Sequence, residues 1–249
     1  MERVNLDAEG FESFLRCLIL LKDFCHDADI RNGIIRQRED QQSAVFEIDM
    51  SSLIGELSLP IDKLKNKVDM LKCFNGQEVE IRTTEREFIF SDDYSELKIE
   101  NPRLDYLNNR FMSPEEVESI FPMLEEDNIL SCMIPAMISD RMRTITQGFD
   151  VNNIQVNFNG EEAELVAATR AKDQSAKFMS RIETNRVMTP CYSNLVAVPF
   201  IIDHDGDTDF RMYNSEEHGN MCVNKFFTSI GDIDITIYGR SSLYEYDEE

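Results

Sequence analysis

The segment LPIDKLKNKVDMLKCF (residues 59–74) is unusually rich in lysine for a chain whose formal net charge is −23. Four lysines fall within it: Lys63, Lys65, Lys67 and Lys72. Apolar residues recur along it every three or four positions, namely Ile61, Leu64, Val68 and Leu71. This spacing predicts a helix with one buried face, beginning near Ile61. Pro60 suits its first turn, and the NGQ sequence at 75–77 suits its end.

The charge of this segment can be interpreted in two ways. In helical projection the lysines flank the apolar face, while Asp62 and Asp69 occupy the outward crest. An ordinary solvated helix is one interpretation, because lysine stems readily cover apolar surface. A surface for nucleic-acid phosphates is the other. Two further predicted helices, residues 11–26 and 136–148, bear on these two interpretations. The three helices together carry eight basic and five acidic residues. The rest of the chain must then carry a charge of −26, so positive charge is concentrated in helices.

The predicted helix at 136–148 has a more regular pattern. Ile138, Met142 and Ile145 are expected to form its buried face. Its exposed crest is expected to hold Ser139, Arg143 and Gln147, with Arg141 at the edge of the apolar face. Small polar groups and guanidinium groups suit phosphate contact without base recognition. A simple solvent-facing arginine remains the alternative.

Length and composition limit the possible classes of protein. A chain of 249 residues that is 42% apolar can form one large domain or two smaller ones with real cores. Its longest apolar run, FLRCLILL, is too short and too interrupted to cross a membrane. The acidic start, MERVNLDAEG, lacks the apolar core of a signal peptide. We expect a cytosolic or nuclear protein with no membrane association.

The cysteines fit that compartment. None forms a C-x-x-C pair, and each lies in or beside an apolar segment, which indicates buried free thiols in a reducing compartment. They are Cys17, Cys25, Cys73, Cys132, Cys191 and Cys222.

The order of predicted elements indicates an α+β protein with two similar halves. Each half reads as strand or helix, then hairpins, then a helix, then further strands. In the second half, Asn159 and Gly160 predict a hairpin turn, and CVNKFFTSIG (222–231) is expected to be a short helical piece. We predict an N-terminal domain at 1–108, an interdomain connector at 109–118 and a C-terminal domain at 119–249. The sequence that joins the two halves, NPRLDYLNNRFMSPEEVE (101–118), begins before that boundary, and the whole of it is called the connector below.

The segment DHDGDTD (203–209) resembles a cation-binding loop. A calcium EF-hand loop that begins at Asp203 needs glycine at its sixth position and glutamate at its twelfth, where this chain has Thr208 and Asn214. A hairpin tip at Gly206 is the preferred interpretation, and a bound ion remains open. No phosphate-binding glycine loop and no G-x-S-x-G motif is present. The three histidines lack metal-ligand spacing. Hence no catalytic residue, cofactor or metal is predicted, and the protein is not expected to be an enzyme.

Several fragments in the same order resemble the DNA sliding clamps, the processivity factors of the proliferating cell nuclear antigen and T4-type phage group. In the first half they are LLKDF, NGIIRQREDQQSAVFEI and LKCFNGQEVEI. In the second half they are LSCMIP followed by DRMRTI, and NKFFTSIGDIDITIYG. The resemblance spans nearly the whole chain.

The resemblance implies a clamp fold with two domains, helices on one face of antiparallel sheets, and a head-to-tail homotrimeric ring around duplex DNA. It implies sequence-independent binding of double-stranded DNA, and a DNA polymerase and a clamp loader as partners. The channel positions of the family correspond here to Arg16, Lys22, Lys72 and Arg141. Local charge adds Lys63, Lys65, Lys67, Arg143 and Lys225 as DNA-facing candidates.

The chain departs from the family at the pocket for partner peptides. Glu39 stands where cellular clamps have an apolar residue. Candidate residues for binding a partner are therefore Leu104, Tyr106 and Leu107 in the connector, with Tyr244 and Tyr246 near the C-terminus. Simple packing of the connector on the sheets is the alternative for the first three. The departure favours a viral clamp.

Two other classes of protein remain open. An acidic DNA mimic or virion protein would bind proteins in place of DNA. A metal-dependent nuclease built on the 203–209 segment would need Asp205 and Asp207 for its activity.

Overall fold

The structure of the chain is a computed structural model that describes residues 2–122, 128–149, 153–159, 161–168, 174–185, 191–196, 202–214 and 221–245. The chain divides into two units. Unit 1 comprises Met1–Ser113 with Ile230–Ile235, and unit 2 comprises Pro114–Ser229 with Thr236–Glu249. Among the described residues, no helix has both the length and the apolar character needed to cross a membrane.

Unit 1 is built from two antiparallel sheets and two main helices. The sheets have the strand orders β1-β6-β7-β8 and β4-β3-β2-β5. Its elements are β1 (Glu2–Leu6), α1 (Ala8–Leu21), β2 (Ala28–Arg31), β3 (Ile34–Arg38), β4 (Ala44–Asp49), α2 (Ser51–Ile54), β5 (Leu59–Ile61), α3 (Leu64–Leu71), β6 (Val79–Thr83), β7 (Glu87–Ser91) and β8 (Glu96–Glu100).

The apolar face of α1 forms the core of unit 1 together with α3. Asp7 caps α1 by accepting a hydrogen bond from the backbone N–H of Gly10 at 2.7 Å. Phe11 and Phe14 are fully buried, and the ring of Phe11 meets that of Phe74 edge to face at 6.2 Å. Phe74 ends a 3-10 turn, Lys72–Phe74, directly after α3. The two helices therefore pack against each other through aromatic side chains.

The start of the lysine-rich helix differs from the prediction. Pro60 and Ile61 belong to strand β5, which pairs with β2, and α3 begins only at Leu64. Proline is accepted because β5 lies at the edge of its sheet, where no ladder hydrogen bond is required on the outer side. The predicted buried residues Leu64, Val68 and Leu71 are buried as expected.

The described residues of unit 2 form eight strands in the order β13-β10-β11-β12-β9-β14-β15-β16, and β16 also pairs with β13. Its elements are α4 (Pro114–Ile120), β9 (Asn128–Ile134), α5 (Ala136–Phe149), β10 (Asn153–Asn159), β11 (Glu162–Ala168), β12 (Ser175–Asn185), β13 (Cys191–Val196), β14 (Thr208–Asn214), β15 (Met221–Ile230) and β16 (Ile233–Glu245). The predicted hairpin at 159–160 is confirmed by the antiparallel pairing of β10 with β11.

The helical prediction for CVNKFFTSIG is wrong. These residues lie in strand β15, which pairs in an antiparallel register with β14 from Asp209–Phe227 to Asn214–Cys222. The buried residues Cys222, Val223, Phe226 and Ile230 permitted a helical interpretation, but pairing with neighbouring strands determines the structure.

Candidate nucleic-acid interface

The lysines of α3 lie on the solvent side of that helix. Lys63 is the N-cap residue, with a left-handed backbone (φ 48°) and no side-chain cap. Lys63, Lys65 and Lys72 are exposed and Lys67 is half-buried. Because the opposite face is filled by Leu64, Val68 and Leu71, the ammonium groups can reach solvent without disturbing the core.

Three cations of unit 1 converge on one carboxylate, that of Asp69. Lys72 Nζ donates to Asp69 Oδ1 at 2.8 Å, and this hydrogen bond and the charge of Lys72 lower the pKa of Asp69. Lys22 and Lys65 lower that pKa further by their charges. Lys22 is the C-cap residue of α1 and is half-buried. The structure therefore brings the end of α1 and the outer side of α3 into one positive surface.

Arg16 lies on α1 between buried neighbours and is half-buried. It is close enough to Cys17 to oppose, by its charge, the effect of burial on that thiol. Burial is the larger effect and raises the pKa of Cys17 to about 12. Cys17 is therefore an inert packing residue, as the sequence predicts, whereas Cys73 is exposed and the prediction of a buried thiol is wrong there.

Helix α5 presents a different surface from the one predicted. Ser139, expected on the exposed crest, is only 4% exposed, because α5 packs on β11 and β12 with Ser139 and Met142 inward. Asp140 and Arg141 are exposed and Arg143 is half-buried. The side chain of Gln147 lies outside the described residues. On the exposed part of α5, the side chain of Arg141 is therefore accessible to solvent and that of Arg143 is only partly accessible.

Arg143 is held by two carboxylates. Its NH2 group donates to Asp140 Oδ1 at 3.0 Å, one turn earlier on the helix. Its NH1 group donates to Asp203 Oδ1, which belongs to the acidic segment 203–209. The positive charge of Arg143 is therefore compensated within unit 2.

The acidic segment braces α5 and is not the tip of a hairpin. Asp207 Oδ1 accepts from the backbone N–H of Ala136 at 2.8 Å, so it caps α5 from 71 residues away. Inside the segment, His204 is buried, and burial lowers its pKa. Among the described residues, no group of three or more histidine, cysteine or acidic side chains is arranged to hold a metal ion.

Lys225 lies on strand β15 and not on a helix. Its ammonium group lies over the ring of Phe227, 4.4 Å from the centroid, and 5.5 Å from the centroid of Tyr238. Such contacts typically contribute about 0.5–1 kcal/mol at exposed sites. Lys225 is therefore engaged with aromatic rings on its sheet.

The candidate residues for partner binding occupy different environments. Leu104 and Tyr106 are 48% and 69% exposed, whereas Leu107 is buried at 4%. Tyr244 stacks on Tyr192 with ring centroids 5.2 Å apart. Tyr246 lies outside the described residues. Tyr106 shares a cleft of about 730 Å³ with Lys63 and Lys67, so a connector candidate and two helix lysines come together in unit 1.

Glu39 occupies a polar setting. It is 4% exposed, and its Oε1 accepts hydrogen bonds from both the backbone N–H and the hydroxyl of Ser43. Residues 39–43 connect β3 to β4, so the carboxylate of Glu39 closes this turn. Glu39 also lines a cleft of about 760 Å³ together with Arg38, Asp40 and Met112. Polar side chains thus line this cleft, whereas the resemblance to cellular clamps implies an apolar pocket at the position of Glu39.

Sequence reasoning missed Asp27, which fixes both α3 and the connector. Asp27 is 2% exposed. Its Oδ1 accepts from Lys63 N at 2.9 Å and its Oδ2 from Asn108 N at 2.7 Å. Gln37 Nε2 donates to its carbonyl, and its own N–H donates to Asn109 Oδ1. The only sequence signal is the alternation of Asp27 and Asp29 with apolar residues in HDADI. This pattern does not predict which groups hydrogen-bond to Asp27.

Comparison with protein-family models and with curated protein sequences gives no match. Comparison with solved structures finds a PCNA2–PCNA3 complex from Sulfolobus tokodaii, with a TM-score of 0.67 and 13% identity, covering 96% of this chain and 99% of that one. It also finds proliferating cellular nuclear antigen from Entamoeba histolytica, with a TM-score of 0.67 and 11% identity, covering 96% and 98%. Identities this low establish the fold alone. The predicted α+β fold is confirmed: over nearly its whole length, the chain has the fold of these two PCNA structures.

Proposed function

We propose that this protein is a DNA sliding clamp, a ring that surrounds duplex DNA and tethers a DNA polymerase to it. The observation that carries the proposal is the clamp fold over 96% of the chain, combined with the positive surface of α1 and α3 in a protein of net charge −23. A chain this small cannot surround a duplex alone, so the function requires an oligomer. A head-to-tail homotrimer is the state we propose.

The positive surface suits a ring that must hold DNA without reading its sequence. Duplex DNA carries one negative charge per about 1.7 Å of axis, so phosphates meet any row of cations at almost every position. Lys22, Lys65 and Lys72 carry their ammonium groups on flexible stems, which can follow the row of phosphates. Net negative charge elsewhere repels DNA from the outer surface. Retention would then depend mainly on topology and would permit sliding.

An edge strand supports head-to-tail assembly. Within the described residues, Ser175–Met179 of β12 pair with β11, whereas Ser180 already donates its hydroxyl to Met133 O of β9, and ladder pairing with β9 begins at Ile182. The other edge of Ser175–Met179 can therefore accept a strand from a second copy of the chain. A clamp loader is the partner that would open such a ring. The clamp itself would perform no chemistry, and ATP hydrolysis would belong to the loader.

Topological retention is the decisive test. The protein is allowed to thread onto a duplex fixed to a bead at one end, the free end is blocked with streptavidin, and the beads are washed at high salt. A ring stays on blocked DNA and leaves when a nuclease cuts the duplex. Equal loss from blocked and unblocked DNA would overturn the proposal.

Charge-removal variants test the surface assigned to DNA. Replacing Arg16, Lys22, Lys72 and Arg141 together by alanine should lower capture on this DNA about tenfold or more, because several phosphate contacts are lost. The matched control removes four exposed cations that lie outside the helices and outside the proposed assembly edge of β12: Arg3, Arg86, Lys98 and Arg110. If both variants lose capture equally, the helix surface has no special role.

The acidic DNA mimic is the second candidate function, favoured by the net charge of −23 alone. It predicts a monomer or dimer in a native mass measurement and no retention on blocked DNA. A trimer that is retained would eliminate it.

A further inference from the structure

Two of the five N–H donors of Arg143 on α5 are already engaged by carboxylates. One terminal nitrogen donates to Asp140 and the other donates to Asp203. A guanidinium group binds phosphate through the same planar donors that it uses for carboxylate. A DNA phosphate can therefore take either of these two terminal donors of Arg143 only by displacing the acid that it binds.

Contacts of the neighbouring residues fix the position of Asp203 beside Arg143. The neighbouring His204 is buried, with its Nδ1 2.9 Å from Gly206 O and 2.8 Å from Thr228 Oγ1. The backbone N–H of Asp205 donates to Ser229 O at 2.9 Å. These contacts fix the backbone on which Asp203 stands, although its own side chain is 59% exposed. The acid is thus a positioned group and not a freely moving one.

Unit 1 has the same arrangement on α3. Asp69 lies three residues before Lys72, as Asp140 lies three residues before Arg143, and Lys72 Nζ donates to its carboxylate at 2.8 Å. Lys22 and Lys65 lie near the same carboxylate. Helices α3 and α5 therefore each carry an acid among their DNA-facing candidates.

We propose that Asp203 and Asp69 compete with DNA phosphates for Arg143 and Lys72, and so set how tightly the ring holds DNA. The inference rests on the proposed function. Each phosphate contact then exchanges one ion pair for another, which lowers the net gain in affinity and favours movement along the duplex. Because a cation paired with a carboxylate displaces fewer ions from DNA, these acids also reduce the salt dependence of binding.

Neutralising the acids should therefore strengthen binding. Asp203→Asn and Asp69→Asn are tested in the full chain with a dye-labelled linear duplex over a series of NaCl concentrations. Each should tighten binding at low salt, by up to about fivefold for each ion pair broken. The plot of log K against log salt should steepen by about 0.9 for each cation released. The matched control, Glu56→Gln, removes one exposed carboxylate outside the three helices.

A double variant separates local competition from a general charge effect. If Asp203 acts through Arg143, the gain from Asp203→Asn must disappear when Arg143→Gln is also present. A gain that persists in that background, or one no larger than that of Glu56→Gln, would overturn the inference while leaving the proposed function intact. If the unaltered protein is not retained on end-blocked DNA, the proposed function fails together with the inference.

Discussion

At the start of α3 and of α5, a backbone N–H donates to an aspartate that is distant in sequence. These two aspartates, called the anchors of the helices, differ in burial. Asp27 accepts from the N–H of Lys63, 36 residues away, and is 2% exposed. Asp207 accepts from the N–H of Ala136, 71 residues away, and is exposed. In both units the start of a cation-bearing helix is therefore fixed by tertiary structure and not by a neighbouring cap.

The difference shows what each helix is connected to. Asp27 also binds the backbone of Asn108, so the position of α3 is tied to the connector through a buried carboxylate. Asp207 belongs to the same segment as Asp203, so the position of α5 is tied to the acids that neutralise Arg143. A change in the connector should thus affect α3, whereas a change in the 203–209 segment should affect α5.

The largest effect is expected from Asp27→Ala. It leaves the N–H groups of Lys63 and Asn108 without their acceptor, and an unsatisfied buried group costs about 1–3 kcal/mol. We expect the free energy of unfolding to fall by about 3 kcal/mol, measured by urea denaturation. Hydrogen exchange should quicken at both 63–66 and 107–112.

Asp27→Asn is the matched control for that variant, because its amide oxygen still accepts one of the two hydrogen bonds. It should be destabilised less than Asp27→Ala. Faster exchange in the connector with α3 unchanged would contradict the proposed link between them.

A smaller effect is expected from Asp207→Ala. It removes a helix cap at a solvent-exposed site, where such caps contribute about 1 kcal/mol. Asp207→Asn retains an acceptor oxygen and should lose only part of this. Hydrogen exchange should quicken at the start of α5 alone. A loss as large as that of Asp27→Ala would mean that burial does not distinguish the two anchors.

The sequence predicted the buried faces of the helices because these faces are local patterns, but α1 spans Ala8–Leu21 and ends before the predicted residues 22–26. Leu64, Val68 and Leu71 recur at helical spacing, and the projection of α3 follows from them alone. The start of the same helix was mispredicted because Pro60 and Ile61 pair with β2, about 30 residues earlier in the chain. Strand β15 was mispredicted for the same reason, since its partners lie outside any local window.

The candidate site was predicted only in part, again for a physical reason. The positions of the lysines can be read from composition and spacing. The carboxylates that pair with the cations or fix the segments around them cannot be read in this way. Asp203 reaches Arg143 across 60 residues, and Asp27 reaches Asn108 across 81. Ser139 was placed on the wrong side of α5 because the apolar stripe alone does not show which strands the helix packs against.

The smallest effect is expected from pH and concerns His204, which supports the anchor of α5 only. Burial holds the pKa of His204 below its ordinary value of 6.5, and the charge of Arg143 lowers it further, while Asp140 and Asp203 oppose this. The unfolded chain therefore binds the proton first as the pH falls. The free energy of unfolding should be highest above about pH 6.5 and should decline below it.

Acid should accordingly loosen the start of α5 and leave the start of α3 unchanged. Hydrogen exchange at about pH 7 and about pH 5, corrected for the intrinsic rate, measures both helices in one experiment. The variant His204→Gln cannot take up the proton, so its α5 should show little change between the two conditions. If α3 and α5 loosen together, His204 is not the group responsible, and the two anchors do not respond to pH independently.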